Sequence, residues 1–354
     1  MRIIVTTALL LFLWVGTASA QQLLAYVVNQ SGSVSVIDTA TNQVIRTIDL
    51  PNSGTITVAH TPDGKFIYVG NPVPPAENIL VIRTDLNVVT DTIDVDAFGV
   101  VASPDGQFIY AVADQPTRLV VIRVSDNAVI DSLPLPGNLG LITLSPDGST
   151  AYITSSSPND VVFVVDTLTL SLVDTVPVGI DPFGIDVSPS GQYVYVANSN
   201  DIHASRIDTS DNSVIDIPSG LDTRNLVVSP NGLFVYLIDA SGVVFVLETA
   251  TNTIVDTITV GDLPQSADIT PDGEFLYVTN TFGHDVSVVS TSNNTVIDTI
   301  PTEDRPTSFG NFIVLVPEPA PIPTLSEWGT IVMVGLIGIA GFIVIRRKKA
   351  QKPV

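Results

Sequence analysis

Acidic oxygen dominates the chemistry available to this chain. Its 354 residues include 36 Asp or Glu against 14 Lys or Arg, three histidines and no cysteine. Disulfides, thiolate metal sites and Cys-x-x-Cys-His haem attachment are therefore excluded. Carboxylate and amide oxygens suit hard cations such as Ca²⁺, although no Asp-x-Asp-x-Asp-Gly loop is present. Short loops at regular intervals contain Asp96, Asn138, Asp181, Asp222, Asp262 and Asp304, and two of them also hold Arg224 and Arg305. Brought together, these eight residues would form a mixed polar ring for a ligand or a cation. Left apart, the aspartates are turn formers. A second series, Asp94, Asp131, Asp174, Asp216, Asp256 and Asp298, falls mostly in Asp-Thr or Asp-Ser pairs.

Nucleophilic and general-base chemistry is sparse. No Gly-x-Ser-x-Gly elbow and no His-Glu-x-x-His occurs. His60 occupies a place that other repeats fill with Ala102, Leu144, Val187, Val228 and Ile269, which reads as a core position. His203 and His284 sit at places that do not match it, so a three-histidine metal site is not expected. No residue is assigned as catalytic, and no cofactor is required, with Ca²⁺ the one cation the composition would favour.

The elements that must position these residues repeat. Thr270-Pro271-Asp272-Gly273 is followed by Glu274 and the strand-like run Phe275-Leu276-Tyr277-Val278-Thr279-Asn280. Proline presets φ, Asp bonds its own backbone and Gly accepts positive φ, so the phrase is a turn. Related phrases place prolines at 62, 104, 146, 189, 230 and 271, spaced by 42, 42, 43, 41 and 41 residues. Tyrosines 26, 68, 110, 152, 195, 236 and 277 mark seven units. A period near 40 with several strands per unit indicates propeller blades. The first unit lacks a leading strand, and 307–315 is a strand without a unit. The last strand is therefore expected to complete the first blade, closing a ring without open edges. The reading is all-β: seven four-stranded blades over residues 21–316. Such a ring would carry the first polar series to one mouth of a central channel. The second series would lie on outermost strands, discouraging edge-to-edge pairing.

Tyr277-Val278-Thr279-Asn280 resembles the signature of YVTN-type β-propeller repeats, as does the pattern Val-Ser-Val-Ile-Asp-Thr-Ala-Thr-Asn at 34–42. The resemblance covers about residues 23–315 and implies the fold. It implies no single activity, because one scaffold hosts many.

Both ends read as targeting segments. Arg2, the apolar run from Ile3 to Val15 and Ala18-Ser19-Ala20 fit a cleavable signal peptide over 1–20. Residues 317–323 form a proline-rich linker. Trp328 to Ile345 would span roughly 27 Å as a helix, enough for a bilayer core. Arg346-Arg347-Lys348-Lys349 would keep the tail cytoplasmic and the ring outside. Ile322, Pro323, Thr324, Leu325, Trp328 and Gly329 lie in a stretch that resembles the IPTL-type C-terminal sorting signal of bacteria. With the apolar run and basic tail, that resemblance makes 322–354 a tripartite signal and implies an exosortase-like membrane transpeptidase as partner. A permanent membrane anchor is the simpler alternative.

Residues 21–316 hold eight basic side chains and 34 of the 36 acidic ones, a net charge near −26. That sign excludes nucleic acid as a partner. The expected function is a noncatalytic, surface-displayed binding or structural module with an extracellular glycan or protein ligand. The alternative is an envelope hydrolase of lactonase type working at the channel mouth.

Overall fold

A computed structural model describes residues 21–317, except 52, 55, 75, 76, 220 and 221. Gln21–Pro317 is one compact unit. Among the described residues, twenty-eight strands, numbered β1 to β28 in chain order, form seven four-stranded sheets. Blades 2 to 7 are consecutive (57–93, 97–134, 138–177, 182–218, 223–259 and 264–301). Blade 1 combines β28 (Ile313–Pro317) with β1 (Gln21–Asn29), β2 (Ser33–Asp38) and β3 (Gln43–Asp49), in that order. The expected ring closure is present: β28 runs antiparallel to β1, from Gln21 opposite Pro317 to Ala25 opposite Ile313. The closing strand begins later than 307. The segment before it bridges to blade 1 between Asn29 and Pro306, with Thr307 N donating to the Val28 carbonyl and Val28 N to Ser308 Oγ, and then bulges toward the axis. Among the described residues no helix is long and apolar enough to cross a membrane. The expected signal peptide, transmembrane helix and sorting motif lie outside those residues.

The strand chemistry explains the layering. The second strand of each blade is buried on both faces, as Phe275–Asn280 shows, because blades pack face to face. The outermost strands are mostly exposed, as in Thr295–Pro301, where Ile300 alone is buried. Tyr26, Tyr68, Tyr195, Tyr236 and Tyr277 are among the largest fully buried side chains.

Side chains join blade to blade. Tyr26, Tyr68 and Tyr277 each donate to the Oδ1 of an asparagine in the next blade's outer hairpin (Asn87, Asn127 and Asn42), all at 2.8 Å. These asparagines have positive φ, a conformation Asn tolerates. Asp91, Asp174 and Asp256 accept from the Nδ2 of Asn127, Asn212 and Asn294 in the following blade at 2.8, 2.6 and 2.8 Å. The outer acidic series thus links blades as well as charging the rim. Asp94 does not belong to it: the outer strand of blade 2 ends at Ile93, and Asp91 stands opposite Val81 as Asp131 stands opposite Val121.

The Pro-Asp-Gly turns form a second ring on one face. In the last of them the Thr270 hydroxyl donates to Asp272, whose carboxylate also accepts Glu274 N, and Gly273 adopts φ +75°. Each turn leans on the proline of the turn before it. A Cβ on Gly273 would lie 3.6 Å from Pro230 Cδ, and one on Gly148 only 2.9 Å from Pro104 Cδ. At the seam the preceding element is β28, and a Cβ on Gly64 would lie 2.0 Å from the Leu315 carbonyl oxygen.

Candidate functional site: the central channel

Innermost strands start at the loops between blades and end at the Pro-Asp-Gly turns, so the channel has a loop mouth and a turn mouth. The eight polar residues expected at the loop mouth make their contacts locally. Asp96 is buried and accepts Gln115 N at 2.6 Å. Asn138 is exposed at the start of its strand. Asp181, Asp222 and Arg305 have φ of 56°, 65° and 57°, and their carbonyls accept Ser199 N, Ala240 N and Gln30 N. Asp181 Oδ2 also accepts from Asn200. Arg224 forks onto Asp222 at 3.1 and 3.2 Å. The Asp262 carbonyl accepts Phe282 N and Gly283 N, while Leu263 takes the left-handed position. His284 Nδ1 lies 3.0 Å from Asp304 Oδ1 and 3.2 Å from Arg305 N. Among the described residues, Asp222 with Arg224 is the one pair of the eight joined by a hydrogen bond or ion pair. No three His, Cys, Asp or Glu side chains there are grouped to hold a metal.

Inside this mouth three phenylalanines from separate blades meet. The Phe183 ring stands edge-on to Phe98 at 5.8 Å and to Phe309 at 5.0 Å between centroids. They come from blade 5, blade 3 and the bulge ahead of β28, so the contact bridges the channel. T-shaped packing is a favoured aromatic geometry. Gly310, at φ +102°, permits the bulge, since a Cβ there would lie 2.3 Å from the Val58 carbonyl oxygen. The Phe309 carbonyl accepts Val58 N at 2.8 Å, tying the bulge to blade 2.

Beyond the phenylalanines the channel holds a cavity of about 190 Å³. An adjoining space of about 250 Å³ includes Pro271, at the turn mouth. His60, Asp186 and Asn311 line both, and Asp268 lines the second. His60 is therefore not a packed core histidine: it is half-buried and faces this space with its Nδ1 3.1 Å from the Thr61 carbonyl oxygen. Burial lowers its pKa.

Asp186 and Asp268 are the functional candidates that the repeat analysis missed. They precede the His60 place by one residue, where other blades carry Ala59, Val101, Thr143 and Val227. Two acids among small and apolar residues are the signal that could have found them. Asp186 accepts Val187 N of its own strand and Val228 N of blade 6, both at 2.8 Å. Asp268 accepts Ile269 N at 2.8 Å and, across the seam, Phe312 N at 2.7 Å and Ile313 N at 2.8 Å. Burial pushes Asp186 up to about 6 and Asp268 up to about 7 against the opposing pull of those N–H groups. Each carboxylate thus clamps one innermost strand to the next.

Fold and channel define a seven-bladed β-propeller of four-stranded blades. Residues 320–348 match the IPTL-CTERM motif, which marks an exported, envelope-anchored protein processed at the membrane by an exosortase-type system. No curated protein matches. Among solved structures, a functionally unknown protein from Desulfotomaculum acetoxidans DSM 771 superposes with a TM-score of 0.70 at 20% identity, over 84% of this chain and 99% of its own. Kuenenia stuttgartiensis hydrazine synthase superposes with a TM-score of 0.64 at 18% identity, over 75% of this chain and 95% of that one. At these identities the likeness concerns the fold alone.

Proposed function

We propose that the chain is a noncatalytic β-propeller displayed at the bacterial surface. On this reading it is exported through a signal peptide over 1–20 and anchored or processed through the motif, apolar helix and basic tail of 322–354. The observation that carries the reading is the sorting motif at 320–348, placed just after the strand that completes the ring at Pro317. The channel chemistry supports it, because both channel carboxylates, half-buried Asp186 and buried Asp268, accept backbone N–H groups that hold the ring together. The loop mouth, with its short-range pairs already made, would offer an extracellular glycan or protein a preformed rim.

The test is surface accessibility. Protease added to intact cells should cleave the propeller, and deletion of 322–354 should move it into the medium. Protection from protease, or retention of the deleted form in the envelope, would refute the reading. A hydrolase is the second reading, favoured by His60, Asp186 and Asp268 lining adjoining spaces. It requires ester or lactone hydrolysis that Asp186→Asn abolishes while the fold persists.

A further inference from the structure

In every blade the buried tyrosine of the second strand faces one residue of the third. In six blades that residue is valine: Val36, Val81, Val121, Val164, Val246 and Val288. In blade 5, Tyr195 faces Arg206. The guanidinium lies 4.2 Å from the Tyr193 ring centroid, and its Nη1 donates to Asn252 Oδ1 at 3.0 Å. It has thereby taken the asparagine that a tyrosine bonds in blades 1, 2 and 7. The Tyr195 hydroxyl and Arg206 Nε are both buried, and the guanidinium stands close enough to that hydroxyl to pull against the rise in its pKa that burial causes. No carboxylate forms an ion pair with Arg206 among the described residues, in a domain with a large excess of acid.

The surroundings depart from the repeat in the same direction. Arg206 lines a groove of about 370 Å³ between blades 5 and 6, bordered by the two turns Ser188-Pro189-Ser190-Gly191 and Ser229-Pro230-Asn231-Gly232. Each of the other four turns carries Asp at its third position: Asp63, Asp105, Asp147 and Asp272. The only two turns that have lost the carboxylate are the two that flank the arginine. Asn231 uses its Oδ1 for Ser229 Oγ and Leu233 N, as the aspartates do, and adds an amide N–H₂ in place of an anionic oxygen. The corresponding groove between blades 3 and 4 has no cation and is lined by Asp105, Asp131 and Asp147. Three separate substitutions against the repeat have thus removed negative charge and placed a positive one at a single groove.

We propose that the groove between blades 5 and 6 binds an oxyanion group of an exogenous ligand, a carboxylate or a tetrahedral phosphate or sulfate, with Arg206 as its charged anchor. A guanidinium presents N–H donors in the planar fork that matches such groups. Asn231 and Gln192 are the neighbouring side-chain donors that line the groove. The site is separate from the channel and stands whether or not the channel is catalytic.

The experiment is calorimetric titration of the full chain in detergent with glucuronate, inorganic phosphate and sulfate in turn. Binding of glucuronate alone would identify a carboxylate ligand such as an acidic sugar, and tighter binding of phosphate or sulfate a tetrahedral one. Arg206→Val should abolish the heat without lowering the melting temperature, because it installs the residue that six other blades use and frees Asn252 for Tyr195. Ser190→Asp with Asn231→Asp should weaken binding at least about tenfold through like charge while leaving Arg206 in place. Absence of heat with all three anions at millimolar concentration would overturn the proposal, as would equal binding by Arg206→Val or by the double variant.

Discussion

At the scale of single residues, Asp268 carries the largest structural duty. Its side chain accepts three backbone N–H groups, two of them on the segment that closes the ring. Asp268→Ala leaves those donors buried and unpaired and should cost about 2–5 kcal/mol in urea unfolding. The pH dependence has a definite sign. Unfolded, the carboxyl titrates near the ordinary 3.8; folded, Asp268 titrates near 7 and Asp186 near 6. Between these values the folded state binds more protons, so their contribution to stability is full below 3.8 and falls as pH rises to about 7. Asp268→Asn should therefore gain on the wild type between pH 4 and pH 8, read from urea midpoints. A constant difference across that range would show that Asp268 does not keep its proton. Nothing about Asp268 beyond its apolar neighbours in the repeat betrayed this role, because two of the three N–H groups it holds lie across the ring closure. Asp94 was misplaced for a simpler reason: Asp91 and Asp94 both follow a β-branched residue or Ile, and only the register against Val81 separates them.

At the scale of elements, turns and strands were legible wherever a local rule determined them. Proline, aspartate and glycine specify the turn; apolar β-formers specify the strands; and a supernumerary last strand implies closure. The aromatic bridge was not legible. Phe98, Phe183 and Phe309 come from three innermost segments, and Phe309 reaches the axis only through a bulge that the repeat does not contain. Nor could spacing reveal that the loop-mouth polar groups bond to residues of nearby loops, as Asp96 does to Gln115 N and Asp181 to Asn200, with Asp222 and Arg224 pairing within one loop. The turn ring yields a paired prediction. Gly64→Ala and Gly273→Ala impose similar positive-φ strain, worth about 1–2 kcal/mol. Only the first also drives a methyl group into the Leu315 carbonyl. Gly64→Ala should lower the thermal midpoint clearly more than Gly273→Ala. Equal effects would mean that the seam yields freely at β28.

At the scale of the whole molecule, a ring differs from a linear stack of repeats, because closure removes two exposed strand edges at once. A chain ending at Pro317 retains every pair between β1 and β28 and should melt cooperatively in circular dichroism. One ending at Phe312 loses all five pairs. It should melt at a much lower temperature or show a broadened transition, and an unchanged melt would mean that the other blades close without β28. The seam also decides how the protein bears load. If the tail beyond Pro317 is fixed to an envelope and something pulls on the propeller, tension enters the fold through β28. The first bonds to feel it are five residue pairs with β1, braced from the side by Asp268. The strand that completes the circle is then also its mechanical fuse, and the grip of one buried carboxylate helps set the force at which a tethered propeller comes open.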